Sequence, residues 1–153
     1  MLETKGSLNE ATIKEVQKLI EINIDSGKGF AEAAENIENR AVARFFRECG
    51  ARREGFAAEL QRFVARSGET PEDSGSVKGT LHRWWLDLRG TVQDGDEHAV
   101  LAEAERGEDA IKERYEKTLK STAGSALNDV IQRQYASVKA DHDAVRDMRD
   151  ARK

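Results

Sequence analysis

Apolar residues recur along this chain every three or four positions, in long runs separated by short polar breaks. At about 100° per residue, Ile13, Val16, Ile20, Ile24, Gly27, Ala31, Ala34 and Ile37 fall on one face of a helix. The spacing predicts a first helix over about 8–38, with Ser7 and Glu10 placed as a capping box. Asn39-Arg40 leaves room only for a tight reversal, so a second helix over 40–67 is expected to fold back antiparallel on the first. Its inward set is Phe45, Phe46, Cys49, Phe56, Leu60 and Phe63, and Ser67-Gly68 supplies the stop.

The segment GETPEDSGSVKG, residues 68–79, is turn-rich and polar and reads as a linker. A shorter helix follows at about 77–92, with Leu81, Trp84, Trp85 and Leu88 at helical spacing. Thr91–Asp96 breaks it. Two more long amphipathic segments are expected at about 97–120 and 124–150. Their stripes are Val100, Ala104, Ile111, Tyr115 and Leu119, then Leu127, Val130, Ile131, Val138 and Val145. No segment alternates with period two over a useful length, so the fold class is all-α. Two helical hairpins joined by one long connection carrying a short helix fit a ferritin-like antiparallel four-helix bundle, formed as a single domain over 1–153.

Composition sharpens this picture. Hydrophobic content is 38% and charged content 35%, which suits helices with one wet face, and the single proline (Pro71) leaves them free to run far. The 25 basic and 29 acidic residues are mixed along the chain, giving net charge -4 and no dominant basic cluster, so nucleic acid is not the expected partner. Cys49 is the sole cysteine, apolar runs are too short to span a membrane, and the first residues lack a secretory signal. A cytoplasmic protein is the expectation, as a homo-oligomer such as a dimer and with no membrane partner.

Several stretches carry a closer likeness: LIEINIDSGKGFAEAAE (19–35), FAAELQRFV (56–64), EDSGSVKG (72–79), LHRWWLDL (81–88), ERGEDAIKERYE (105–116) and QYASVKADHDAVRDMRD (134–150). In these the chain resembles the ferritin-like superfamily, and more closely a bacterial family of uncharacterised ferritin-like proteins related at a distance to rubrerythrin. Ferritins and rubrerythrins bind two irons through a carboxylate from each of two helices and an acid-x-x-His pair from each of the other two. By position, the resemblance implies Asp25 and Glu108 as the lone carboxylates. It puts Arg53 and Phe56, then Lys139 and His142, where the two acid-x-x-His pairs would stand. Cations therefore replace two acids, and Phe replaces one His. The expectation is a buried polar cluster of Asp25, Arg53, Glu108, Lys139 and His142 that balances charge without a cofactor. A local bulge at Gly27 and Gly29 would be needed to turn Asp25 inward.

Other candidate chemistry reads as structure. Gly107 beside Glu108 is expected to let the helix approach a neighbour. Glu105-x-x-Glu108 and Glu32-x-x-Glu35 are expected as solvated edges, Trp84-Trp85 as anchors of the crossover helix, and Cys49 as a buried, inert thiol. His82 and His98 are read as surface residues, and no catalytic triad spacing, phosphate loop or zinc motif occurs. Three functions compete. The favoured one is a non-catalytic bundle protein, with a stress- or envelope-related role expected from the company such families keep. The alternatives are a metal-binding ferritin-like oxidoreductase holding iron or another divalent metal through Asp25, Glu108 and His142, and a carrier using an inter-helix cavity.

Overall fold

Helix capping residues sit where the periodic stripes begin, and they set the element boundaries. The computed structural model describes residues 2–75 and 80–152, and of residues 80–82 the backbone alone. Five helices are present among them: α1 (Glu10–Asn36), α2 (Arg40–Arg66), α3 (Thr80–Asp94), α4 (Glu97–Ser121) and α5 (Asn128–Asp150). Among the described residues there is no strand, only an isolated bridge between Thr4 and Ser7. The expected start of the short helix at Val77 lies outside the described residues, as do the inward direction of Leu81 and the surface reading of His82.

The N-cap of α1 is Asn9, whose Oδ1 accepts from the Thr12 amide at 2.9 Å, and Ser7 is drawn into the preceding bridge instead of a capping box. Asn39 caps α2 by accepting from the amides of Ala41 (3.0 Å) and Val42 (3.2 Å), and Asp96 caps α4 through Ala99 (3.1 Å). Gly68 ends the turn after α2 with φ +88°, and Gly124 after α4 with φ +84°, backbone that a side chain would oppose. The turn around Gly124 delays α5 to Asn128, four residues after the start read from periodicity.

The most extensive contacts between elements are those of α1 with α2 and of α4 with α5. At the start of α1, the Leu8 amide donates to Ser67 Oγ just past the end of α2, while Gly27 and Gly50 bring the two backbones together further along. In the same way Glu97 meets Arg152, Tyr115 meets Gln134, and His142 meets Asp109 between α4 and α5. Helix α3 lies against α1 and α4.

One core joins all five helices, with Leu19, Ile20, Phe30, Phe46, Leu60, Trp84, Leu88, Leu101, Ile111, Tyr115, Leu127 and Val138 buried. Each such aliphatic or aromatic side chain contributes about 1.5–3 kcal/mol by leaving water. The buried face of α1 is displaced from the expected stripe and includes polar positions: Asn23 and Ser26 are buried together with Phe30, while Ile13, Ile24 and Ile37 are only partly so. A helix touching α2, α3 and α4 must bury more than one side. On α2, likewise, Phe46, Cys49, Arg53 and Leu60 form the buried line, and Phe45, Phe56 and Phe63 lie at its border.

Candidate functional site

At the middle of this core stands a charged residue. Arg53 projects from α2 along the line of Phe46, Cys49 and Leu60 and is fully buried. Its two terminal nitrogens fork onto Glu108 of α4, Nη1 donating to Oε1 at 2.7 Å and Nη2 to Oε2 at 2.6 Å. Glu108 is fully buried too. Nη2 also donates to Asp141 Oδ2 of α5 at 3.2 Å. Asp141 is held from the outer side by Arg52, which donates through Nε (3.2 Å) and Nη2 (2.7 Å). Two guanidiniums and two carboxylates thus tie three helices together.

Burial by itself disfavours the charged guanidinium of Arg53. The charge and hydrogen bonds of Glu108, joined by the charge of Asp141, outweigh it and raise the pKa above the ordinary arginine value. Arg53 Nε has no protein acceptor among the described residues, and the Phe30 ring lies 5.6 Å from Cζ. Burial, reinforced by the Asp141 charge, pushes the Cys49 thiol far above its usual range, so the thiolate is suppressed beside the cluster.

The floor of the cluster is aromatic. Trp84 of α3 is fully buried, packs edge-on to Phe30 with ring centroids 5.6 Å apart, and donates through Nε1 to the Glu103 carbonyl at 2.8 Å. Its indole occupies the space a side chain at Gly107 would fill, since a Cβ there would lie 2.1 Å from Trp84 Cε2. Gly107 therefore admits α3, while Glu108 beside it reaches across the core to Arg53. Trp85 is half-buried at the border, with Arg89 stacked over its ring at 4.3 Å.

A second polar chain continues from the core to the surface. Asn23 Nδ2 donates to the Tyr115 hydroxyl at 2.7 Å, Tyr115 donates to Gln134 Oε1 at 2.8 Å, and Gln134 Nε2 donates to Glu59 Oε1 at 2.8 Å. The amide and hydroxyl groups of Asn23, Tyr115 and Gln134 are buried and linked to one another, and the chain ends on the partly exposed Glu59 carboxylate, which also pairs with Arg133.

Three residues expected in the cluster stand elsewhere. Lys139 is exposed, because Val138 takes the inward position of that turn of α5 and Asp141, three residues on, takes the next. His142, one further step of about 100° around the helix, turns toward α4. There its Nε2 lies 2.6 Å from Asp109 Oδ1, and its Nδ1 lies 3.1 Å from Asp143 Oδ1. Partial burial lowers the proton affinity of His142, but the hydrogen bonds of Asp143 and Asp109 outweigh this and leave its pKa above the ordinary imidazole value. Asp25 is half-buried on the far side of α1, where a Cβ on Gly75 would overlap its carboxylate. No bulge turns it in: α1 runs unbroken through Gly27 and Gly29, which instead serve close contacts with Gly50 and with Trp84 and Trp85. His98 is half-buried, and Glu105 ion-pairs with Arg149.

A family model described as a domain of unknown function, DUF2383, matches residues 11–121. The chain belongs to the DUF2383 family. The matched part of this DUF2383 chain contains Arg53, Trp84, Gly107 and Glu108 and ends with α4, so Asp141 and His142 on α5 lie beyond it. No curated protein matches the chain. Among the described residues, no helix is long and apolar enough to cross a membrane.

The donors around Arg53 do not fit the di-iron group that the ferritin-like resemblance implies. Both oxygens of Glu108 are taken by Arg53, both oxygens of Asp141 are taken by Arg52 and Arg53, and the cluster contains no imidazole. The missing signal in the sequence was Asp141: it reads as one more acid on a charged helix until the position of α2 is known.

Proposed function

We propose that this protein is a ferritin-like antiparallel four-helix bundle in which an internal ion-pair lock replaces the metal centre, and that it acts as a non-catalytic helical scaffold. The observation that carries the reading is the two-pronged Arg53–Glu108 pair, fully buried between α2 and α4. A di-iron centre needs about four carboxylates and two imidazoles. Here a guanidinium supplies the positive charge the acids require, and a divalent ion beside it would be repelled in a low-dielectric interior. The register of α1 with α2, and of α4 with α5, supports the antiparallel hairpins, and α3 on the long connection supports the crossover.

Anaerobic Fe(II) titration followed by oxygen tests this. The expected result is no oxo-bridged absorbance and no ferroxidase turnover. Uptake of two irons per chain with a fast oxo-bridged band would overturn the proposal.

A further inference from the structure

Outside the core, the seam between α4 and α5 gathers a different set of donors. Glu105 and Asp109 are four residues apart on α4 and so share one face. The run of α5 past α4 brings His142 to the same level. One ligand atom from each of Glu105, Asp109 and His142 lies within 4.8 Å of the other two. We propose that these three side chains form a mononuclear site for a borderline divalent cation of the zinc type.

The donor set suits such an ion. Two carboxylates offset its charge, one neutral imidazole nitrogen selects against magnesium and calcium, and water completes the coordination. Zinc holds oxygen and nitrogen donors at about 2.0–2.1 Å, which puts neighbouring donors about 3.3 Å apart. The Nε2–Oδ1 separation of 2.6 Å must therefore open, and any separation near the 4.8 Å bound must close. Asp109 has the freedom for this, its side chain being 62% exposed, and it leaves a route in from solvent.

His142 is also oriented for the task. A cation must displace the proton that Nε2 shares with Asp109; Nδ1–H directed to Asp143 Oδ1 at 3.1 Å then holds Nε2 toward the two acids of α4. An outer carboxylate on the second ring nitrogen is the usual companion of a metal-ligating histidine. Arg149 pairs with Oε2 of Glu105 and with Asp150, and Arg146 with Asp143 and Asp147, so a cation must share or displace Arg149 at Glu105, and these guanidiniums lower the affinity. The site is separate from the Arg53 cluster. Asp109 follows Glu108 by one residue, and that rotation of about 100° sends one carboxylate into the core and the other out to the seam.

The inference goes beyond the scaffold reading and stands or falls by a different measurement. Calorimetric titration of the full chain with Zn2+ alone should show one saturable equivalent. Zn2+ should also shift the imidazole NMR signals of His142. His142→Ala, and the near-isosteric pair Glu105→Gln/Asp109→Asn, should abolish saturable binding while circular dichroism stays helical. Asp143→Asn should weaken it about tenfold, and His98→Ala should leave it unchanged. Absence of saturable binding to the parent chain would overturn the site and would mean that His142 only bridges Asp109 and Asp143. Unaltered binding by a folded His142→Ala chain, or by the folded amide pair, would overturn it as well. An oxo-bridged di-iron band would count against the scaffold reading and leave this site standing.

Discussion

Replacing Arg53 by Met keeps an unbranched side chain of similar reach but removes the group that holds both oxygens of Glu108 in the core. Glu108 is fully buried, and both its oxygens are taken by Arg53, so the variant leaves an uncompensated carboxylate between α2 and α4. Asp141 suffers less, because Arg52 still holds it at 2.7 and 3.2 Å. Breaking a buried pair in this way costs about 3–5 kcal/mol. For a chain of this size each kcal/mol corresponds to roughly 2–4 °C, so the thermal midpoint should fall by roughly 6–20 °C. Thermal and urea unfolding followed by circular dichroism measure it. The double variant Arg53→Met/Glu108→Leu separates lost attraction from stranded charge. Removing both partners leaves a mainly apolar interior, so the double variant should recover most of the loss. A midpoint for Arg53→Met within about 2 °C of the parent, or a double variant no more stable than the single one, would refute the reasoning.

Two further outcomes follow from the same core. Gly107→Ala puts a methyl group 2.1–2.6 Å from three atoms of the Trp84 indole, so the ring must leave its seat. The expected destabilisation is about 1–3 kcal/mol or more, with a red shift in tryptophan emission, and an unshifted spectrum at parental stability would contradict this packing. Cys49 is fully buried with its pKa pushed up by burial and by Asp141, so the native chain should resist thiol-specific reagents at neutral pH and react fully once unfolded; rapid native labelling would contradict that.

How far these features were legible beforehand depended on whether one helix or several decided them. The apolar period placed Val100, Ala104, Ile111 and Tyr115 of α4, Leu127 just before α5, and Val130, Ile131, Val138 and Val145 of α5, in the core where they are found. It also pointed Arg53 and Glu108 inward, because their angle about their own helices follows from position alone. Cap residues carry less: Asn9 rather than Ser7 starts α1, a choice between two competent side chains that the local turn makes.

What periodicity could not supply was the rotation and offset of each helix relative to its neighbours. On α5 that choice separates Lys139, exposed, from Asp141, buried on Arg53, and from His142, turned to Asp109. On α1 it buries Asn23 and Phe30 beside the apolar stripe and leaves Asp25 on the side of Gly75. The indole of Trp84 over Gly107, and the meeting of Glu105 and Asp109 with His142, are likewise contacts between residues far apart in sequence. A single chain of letters determines which face of each helix avoids water, since that depends on side chains a few positions apart. Which acid meets which cation depends on how several such faces pack at once, and only the tertiary structure decides it.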